Sequence, residues 1–390
     1  MLMYREMPLD HRRVIVSNSI FKKYKYVDII CVRQKGQMAN ENYNGVHFLR
    51  LPIYNKPQNT YTERFTKYIV YTILCGLKLM QQSIKTKYDI IHVHNPPDFI
   101  ILGAIPLKWI YGTKIILDLH DMLPETVISN LNVPESHILV KIAKFIEKFS
   151  IRFSDAVICT NEYDKSIVLS RNNLKPDKIF VVMNSPDLEA LAIEKSSKTH
   201  FMLDKRFVLL FEGTIWKRRG IQTVIDAMGI LKDKIPIVFL VVGDGPDLEY
   251  LKNYVNEKEL KDQVRFTGWV DLKELSEYIS ISDICIIPFL QTKVNERGVP
   301  NKLFEYIVHD KPVLSSNLKG IASTFNNQEI IFFEPGNAID LADKILWCYN
   351  NPEKLKTLIS AAKKRYYAEY TWEKMEEELY KCYESVSVKG

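Results

Sequence analysis

The chain has 390 residues, of which 46% are hydrophobic and 26% are charged, and its formal net charge is +6. This composition is ordinary for a folded protein and excludes an intrinsically disordered chain. The length exceeds what one hydrophobic core usually supports, so we expect two domains. The positive charge is mild and no nucleic-acid-binding motif occurs, so we predict no nucleic-acid partner.

The cysteines and the apolar stretches predict a cytoplasmic protein. Six cysteines are scattered without a C-x-x-C pair, which is typical of free thiols in a reducing compartment. The N-terminal sequence MLMYREMPLD lacks the apolar segment of a signal peptide. The most apolar stretches, residues 68–80 and 99–119, are too short or too interrupted by charge to span a membrane.

The first half of the chain alternates short apolar runs with segments of helical period. One of these segments, residues 64–87, combines apolar and basic side chains at helical spacing. Such a helix either lies on an anionic lipid surface at the inner face of the cell membrane or packs within the first domain. The predicted strands cover residues 27–33, 88–94, 114–120, 155–160 and 178–184.

The second half shows the same alternation more clearly, after a polar joint at residues 196–206. Continuous apolar strands separated by helices indicate a parallel sheet that is covered on both faces. We therefore predict an α/β protein with two doubly wound domains, residues 1–190 and 200–370, and a final helical segment, residues 371–390. The predicted strands are residues 207–211, 237–242, 264–270, 284–289, 312–316 and 330–333, and the predicted helices include 272–281, 300–308, 338–350, 353–369 and 372–386.

Basic side chains follow the first strand of the second domain, in the segment LLFEGTIWKRRG. Gly213 and Thr214 come at the end of the strand, and Lys217 and Arg219 directly precede the next helix. A helix N-terminus beside an arginine is a favourable place for an anion. The segment therefore predicts a phosphate site, with a solvent-exposed basic loop as the alternative.

Glycines follow the next two predicted strands. Gly243 and Gly245 form only part of a dinucleotide-binding fingerprint, which a plain strand-to-helix turn also explains. Gly268 and Trp269 end the following strand, where backbone groups can read the edge of a nucleobase. The alternative there is a core tryptophan beside a turn.

The segment NERGVPNKLFEYIVHD places glycine and proline ahead of a short amphipathic helix. Exposed backbone N–H groups at such a start bind phosphate oxygens. Inside the helix, Glu305 is expected to be buried, and a buried acid needs partners such as ribose hydroxyls. The candidate binding residues of this segment are Gly298, Val299, Pro300, Asn301, Lys302 and Glu305.

Histidines lie on two strands of the first domain. His92 and His94 share one strand face, but further ligands at metal-binding spacing are missing, so we predict no metal site. His120 ends the next strand beside Asp118 and Asp121, poised for proton transfer or for a hydrogen bond to a sugar hydroxyl. The alternative is a structural histidine that caps the next helix.

Taken in order, these motifs resemble the retaining nucleotide-sugar glycosyltransferases of the GT-B fold. The resemblance covers residues 10–385 and is strongest to bacterial and archaeal members that build capsule, exopolysaccharide and lipid-linked glycans. The segments that carry it are IIHVHNPPDFIILGA, ILDLHDMLPE, FEGTIWKRRGIQTVIDAM, VVGDGPDLEYL, VRFTGWV and PNKLFEYIVHDKPVLSS.

The resemblance implies two facing Rossmann-like domains, with the donor bound mainly by the second, the acceptor by the first, and a last helix that crosses back to the first. By position, Arg219 stands where the family has its phosphate-binding lysine. Glu305 stands for the second glutamate of the family's Glu, seven residues, Glu motif, which holds the ribose. His120 matches the histidine that lies near the transferred sugar.

The chain departs from the family pattern at three places. Arg297 occupies the position of the first motif glutamate, and Glu296 lies one position away. Thr214 replaces a frequent arginine. The first strand and its glycine-rich loop are reduced to MLMYREMPLDHRR, so that either the start is truncated or the first domain has a shortened edge.

The expected function is metal-independent, cofactor-free transfer of a sugar from a UDP- or GDP-linked donor to a glycan or polyprenyl-linked acceptor, with retention of anomeric configuration. The resemblance assigns the catalytic roles to His120, Arg219 and Glu296. Two alternatives stay open: a nucleotide-sugar epimerase of the same build, and a catalytically weak subunit that binds sugar nucleotides. The incomplete fingerprint disfavours a nicotinamide oxidoreductase.

Overall fold

A computed structural model describes residues 1–8, 11–54, 61–186 and 196–387. The chain divides into two compact units, Met1–Asn184 together with Glu373–Gly390, and Ser185–Trp372. All six cysteines are buried free thiols. In the described part of the chain, no helix combines the length and the apolar character needed to cross a membrane.

The first unit contains an eight-stranded sheet in the order β3-β4-β2-β1-β5-β6-β7-β8. Its neighbouring strands are parallel except at the β3 edge, where β3 pairs antiparallel with β4. The strands are β1 Leu2–Glu6, β2 Asp28–Val32, β3 Asn40–Tyr43, β4 Val46–Leu51, β5 Ile90–His94, β6 Lys114–Leu119, β7 Ala156–Cys159 and β8 Ile179–Val181. The helices are α1 His11–Tyr24, α2 Tyr61–Ser83, α3 Ile101–Tyr111, α4 Leu123–Leu131, α5 Ile138–Phe153 and α6 Glu162–Asn172.

The second unit contains a six-stranded parallel sheet in the order β11-β10-β9-β12-β13-β14. The buried apolar runs predicted from the sequence form its centre, because strands covered on both faces need no polar side. The strands are β9 Phe207–Glu212, β10 Ile237–Val242, β11 Val264–Gly268, β12 Ile284–Ile287, β13 Val313–Ser316 and β14 Ile331–Phe333. The helices are α7 Ile221–Leu231, α8 Leu248–Glu257, α9 Leu272–Ile281, α10 Asn301–Val308, α11 Lys319–Thr324, α12 Ala338–Asn350 and α13 Pro352–Glu369.

The last helix, α14 Trp372–Val386, lies in the first unit from Glu373 onward. Its Tyr380 hydroxyl donates to the Ser19 carbonyl of α1 at 2.9 Å. Leu379 and Tyr383 on the same helix are buried. The end of the chain therefore contributes to the core of the unit in which the chain begins.

The structure places a strand, β1, at the start of the first unit, where the sequence analysis expected either a truncated start or a shortened edge. β1 lies in the interior of the sheet, where Leu2 pairs with Ile30 of β2 and with Val93 of β5. The sequence analysis assigned a reduced first strand to this segment but gave it no range, because its apolar run is short and ends in Arg5 and Glu6.

The β3–β4 hairpin was also absent from the prediction. Its connecting residues Asn44 and Gly45 have φ of +53° and +84°. An Asn-Gly pair favours the two-residue turn of a hairpin because both residues tolerate positive φ. The signal was present in the sequence YNGV, but β3 itself is polar and exposed.

We expect Gly220→Ala to destabilise the second unit strongly. Gly220 has φ of +71° at the start of α7, and an added Cβ would overlap the carbonyl oxygen of Pro288. Positive φ and the overlap together should cost at least about 3 kcal/mol. The matched control is Gly336→Ala, which has a similar φ of +78° but only an ordinary contact to Leu290 at 3.8 Å, and should lose about 1 kcal/mol. Equal losses in urea unfolding would contradict the packing argument.

Candidate functional site

The loops after β9, β10 and β11 are joined by backbone hydrogen bonds. The N–H of Gly213 donates to Val242 O at 2.8 Å, and the N–H of Gly243 donates to Gly268 O at 2.8 Å. Gly245 packs directly against the backbone of Ile215. The predicted glycines therefore lie together at the carboxyl ends of the strands, which is where open parallel sheets bind ligands.

Trp269 resolves one of the alternatives left open by the sequence. Its side chain is 78% exposed, so it is not a core tryptophan. Thr214 and Lys217 are exposed as well. A nucleobase can therefore reach this part of the second unit without displacing core side chains.

Four ionisable side chains gather where β9 ends. Glu212 is the last residue of β9, and Arg219 closes the 3-10 turn Lys217–Arg219 just before α7. Lys302 on α10 donates to the backbone carbonyl of Glu212, and its Nζ lies 3.6 Å from Glu212 Oε1. Glu305 stands one turn further along α10.

The Arg219 guanidinium is half-buried and lies 4.2 Å over the ring of Phe289. Among the described residues it has no carboxylate partner and no hydrogen-bond acceptor. Burial lowers the pKa of Arg219, and the neighbouring Arg218 lowers it further. A half-buried cation without an acceptor favours the binding of an anion.

Burial and neighbouring charges shift the pKa values of Glu305 and Lys302. Burial, reinforced by the charge of Glu212, raises the pKa of Glu305 to about 7, although Lys302 opposes the shift. Burial also lowers the pKa of Lys302, and the negative charge of Glu212 opposes this shift. Near neutral pH, Glu305 is therefore partly protonated and can both donate and accept hydrogen bonds.

The segment before α10 is anchored by a residue that the sequence analysis missed. The buried Asn295 donates through its amide to Arg218 O at 2.9 Å and to Leu290 O at 2.8 Å. These bonds fix the loop that carries Glu296 against the turn that carries Arg219. No local sequence signal indicated them, because the partners lie far apart along the chain.

The two residues competing for the first motif glutamate differ in their environment. Arg297 is only 4% exposed and packs in the loop before α10. Glu296 lies 3.7 Å from Lys319, from Oε1 to Nζ, and its Oε2 is buried without a hydrogen-bond partner. Gly298, Val299 and Pro300 are half-buried, and Pro300 is the N-cap of α10. The backbone N–H groups of Asn301 and Lys302 thus begin a helix and lack intrahelical acceptors.

In the first unit, one buried carboxylate collects three imidazoles. Asp118 Oδ2 lies 3.6 Å from His92 Nε2, 3.3 Å from His94 Nδ1 and 3.4 Å from His120 Nε2. Its other oxygen, Oδ1, lies 3.4 Å from Arg12 Nη2. β5 and β6 pair His94 with Asp118, so neighbouring parallel strands bring these groups to the same sheet edge.

This arrangement excludes one role for His120. The N-cap of α4 is Met122, and no side chain caps that helix, so His120 is not a capping residue. Burial lowers the pKa of all three histidines, and the carboxylate opposes this shift. Burial alone would raise the pKa of Asp118, but His120 and Arg12 hold it well below its usual range.

A metal ion is chemically conceivable at this cluster. The ligand atoms of His92, His94 and Asp118 lie within 4.8 Å of one another, so Asp118 supplies a third ligand that the sequence spacing did not reveal. Arg12 already neutralises this carboxylate, and Arg13 donates to Asn95 O nearby at 3.0 Å. A buried dication beside these guanidinium groups would be electrostatically costly.

The two units are each a doubly wound Rossmann-like sheet, which is the build of the GT-B glycosyltransferases. Residues 25–190 match the family model described as Glycosyltransferase Family 4, and residues 192–365 match the model described as Glycosyl transferases group 1. The chain belongs to this family of glycosyltransferases, and the predicted fold class is confirmed.

Two curated relatives align with part of the chain. It is 26% identical over 265 residues to the Escherichia coli UDP-Gal:alpha-D-GlcNAc-diphosphoundecaprenol alpha-1,3-galactosyltransferase, an alignment covering 66% of this chain and 65% of that protein. It is 27% identical to the putative teichuronic acid biosynthesis glycosyltransferase TuaH of Bacillus subtilis, over 57% of this chain and 54% of that protein. The chain thus spans less than two thirds of the length of either relative.

Solved structures share the fold at low sequence identity. Sucrose-phosphate synthase from Thermosynechococcus elongatus superimposes with a TM-score of 0.74 at 18% identity, over 95% of this chain and 91% of that chain. HepE of Anabaena in complex with UDP gives a TM-score of 0.72 at 14% identity, over 98% of this chain and 99% of that chain.

We expect Glu305→Gln to stabilise the second unit at high pH only. The unfolded glutamate ionises near 4.5 and the folded one near 7, so the folded state loses stability as the pH rises through this window. Glutamine cannot ionise and escapes this loss, which is on the order of 1–3 kcal/mol above pH 7. Urea unfolding at pH 5 and pH 8 should show the gain only at pH 8. The exposed Glu257→Gln should show none at either pH, and a gain of equal size at both values would refute the assignment.

Proposed function

We propose that the chain transfers a sugar from a nucleoside-diphosphate donor, UDP- or GDP-linked, to a glycan or polyprenyl-linked acceptor with retention of anomeric configuration. The donor occupies the second unit and the acceptor the first. The reaction requires neither a metal ion nor a cofactor. The E. coli relative uses UDP-Gal and a diphosphoundecaprenol-linked acceptor, and HepE was solved with UDP, which supports this choice of substrates.

The main support for a sugar-nucleotide site in the second unit is the environment of the Arg219 guanidinium. It is half-buried, it has no acceptor in the described part of the chain, and it lies in one cluster with Lys302. A diphosphate would supply the missing acceptors. The first-turn N–H groups of α10 and the positive end of its dipole add to the attraction.

The same contacts explain how the leaving group is stabilised. As the glycosidic bond breaks, negative charge grows on the diphosphate, and Arg219 and Lys302 are fixed in place before this happens. Fixed donors in a partly buried site lower the barrier because they need no reorganisation. Glu305 is expected to hold the ribose hydroxyls, and its raised pKa lets it serve as donor or acceptor.

Arg219→Ala should lower kcat by roughly 10² to 10³. The reason is the loss of a cation that stabilises the leaving diphosphate. Arg219→Lys keeps the charge and should recover part of the rate, and the exposed Lys261→Ala is the matched control with wild-type turnover. Full activity of Arg219→Ala would remove the phosphate assignment.

The donor is identified by a thermal-shift panel of UDP-, GDP- and ADP-sugars, since a ligand that binds the folded state raises Tm by mass action. NMR of the product then reads the anomeric configuration, and inversion would contradict the proposed mechanism. Free epimerised sugar formed without an acceptor would indicate an epimerase. Tight binding without transfer to any acceptor would indicate a binding subunit.

We further propose that the first unit binds an anionic lipid surface through α2 and α5. Along α2, exposed apolar residues recur every fourth position and form one stripe: Phe65, Ile69, Ile73 and Leu77. The opposite face of α2 packs in the core through Tyr71, Cys75 and Leu79. A stripe of this kind beside lysines is typical of helices that lie in a membrane interface.

α5 has the same character. Its exposed apolar residues Ile138, Ile142 and Phe145 alternate with the basic Lys141 and Lys148. Lysine heads attract anionic lipid while the apolar side chains enter the acyl boundary. A lipid-linked acceptor, like that of the E. coli relative, would be presented at such a surface.

The double variant Ile73→Glu/Leu77→Glu should bind vesicles containing phosphatidylglycerol at least about tenfold more weakly. The wild-type side chains are 57% and 60% exposed, so the changes should leave the fold intact. Ile339→Glu, at a residue of the second unit that is 68% exposed, is the matched control and should bind normally. Wild-type binding that survives in the double variant, or that ignores salt, would rule out this surface.

A further inference from the structure

We propose that His94 is a positioning residue that fixes His120 in the tautomer with its proton on Nδ1. His120 then meets the substrate as a hydrogen-bond donor and not as a proton acceptor. The step from tautomer to substrate depends on the proposed function and on the expectation from the sequence that His120 lies near the transferred sugar. The tautomer itself follows from the contacts of the buried cluster in the first unit.

His94 and His120 share a single proton between them. His94 Nδ1 lies 2.9 Å from His120 Nε2, so one of these nitrogens donates and the other accepts. If His94 donates, the neutral His120 carries its own proton on Nδ1. If His120 donates, its Nδ1 is a lone pair and could act as a base.

The surroundings of His94 decide between the two arrangements. His94 is fully buried, and its Nε2 has no hydrogen-bond partner. Were Nδ1 the acceptor, the His94 proton would sit on Nε2 as a buried donor without an acceptor. An unpaired acceptor is tolerated better than an unpaired N–H, which proteins rarely bury. The proton of His94 therefore belongs on Nδ1.

The carboxylate favours the same assignment. Asp118 Oδ2 lies 3.3 Å from His94 Nδ1, so a lone pair on that nitrogen would face a negative oxygen. A proton on Nδ1 is attracted by this oxygen while it is donated to His120. His120 Nε2 is also 3.4 Å from Asp118 Oδ2, but it cannot donate there without forcing the His94 proton onto the unpaired Nε2.

His92 connects the cluster to the last helix, α14. Its Nδ1 lies 2.9 Å from the Tyr383 hydroxyl of α14. Burial raises the pKa of Tyr383, so the phenol keeps its proton and can donate it to His92. When Tyr383 donates, the proton of His92 is on Nε2, which lies 3.6 Å from Asp118 Oδ2, a charge contact that is too long for a hydrogen bond. Arg12 Nη2 donates to the remaining oxygen, Asp118 Oδ1, at 3.4 Å.

The outward nitrogen of His120 is left for a ligand. His120 Nδ1 has no partner among the residues that the structure describes. With Nε2 accepting from His94, this outward position bears the proton. A sugar hydroxyl oxygen or a developing negative oxygen would accept from it, whereas a group that must lose a proton would find no base there.

The direct test is NMR of protein labelled with ¹⁵N-histidine, at a pH where the rings are neutral. His120→Gln identifies the His120 signals. We expect a protonated, pyrrole-type Nδ1 and an unprotonated, pyridine-type Nε2. The reverse pattern would overturn the proposal. So would a stoichiometric metal ion in tag-free protein, measured by elemental analysis, because a metal bound to His94 would displace the shared proton.

Two variants test the role of His94. His94→Asn can place an amide N–H where the imidazole Nδ1–H was, and should preserve the His120 tautomer. His94→Leu removes the donor, so Nε2 of His120 should become protonated for a substantial fraction of molecules. With it, kcat should fall about 10²-fold while the donor KM stays near the wild-type value.

The readouts separate the two proposals. An unchanged tautomer in His94→Leu, or equal loss of kcat in both variants, would refute the role of His94. If no transfer is detected in any protein, the proposed function fails while the NMR pattern still stands on its own. Should His94→Leu not fold, the wild-type tautomer alone decides the outcome.

Discussion

The contact of Lys302 with the end of β9 organises the second unit. Its ammonium group bonds to the backbone carbonyl of Glu212, lies near the Glu212 carboxylate and sits 4.4 Å over the ring of Phe211. The N–H of Glu212 donates in turn to the Tyr306 hydroxyl of α10 at 3.2 Å. The backbone N–H and the backbone carbonyl of Glu212 both form hydrogen bonds with side chains of α10. These bonds hold α10 beside the carboxyl end of β9. Glu212 is thereby kept close to Lys302, and Arg219 is left as the cation without a carboxylate.

The first unit uses the opposite charge in the same place. Asp118 is the buried ion near the end of β6, where Arg12 donates to Oδ1 and three imidazoles lie 3.3 to 3.6 Å from Oδ2. A buried carboxylate near several positive or proton-bearing groups stays ionised. It also fixes the orientation of these groups, because each of them would lose a favourable electrostatic interaction if it turned away. The fixed orientation of His94 in turn determines which ring nitrogen of His120 contacts it.

The sequence revealed the strands whose apolar runs are continuous, and it located α9 and β10 at their observed limits. It failed where the sheet does not depend on such runs, at β1 and at the polar strand β3. Arg219, Lys302 and Glu305 could be named because helix starts and buried acids leave local signals. Glu212 and Asn295 could not, because their roles come from contacts between segments distant along the chain.

The two clusters place unsatisfied polar atoms at the same edge of each sheet. In the second unit it is the Arg219 guanidinium, which has no acceptor among the residues that the structure describes, and in the first unit it is the ring nitrogen of His120 that does not contact His94. Leaving polar groups unpaired in a partly buried site costs stability, and a ligand that pairs them recovers it. In the second unit an anionic ligand group would satisfy the guanidinium, and in the first unit a hydroxyl oxygen would satisfy the imidazole N–H. Each unit therefore offers a hydrogen-bond donor to a ligand at the edge where its parallel strands end.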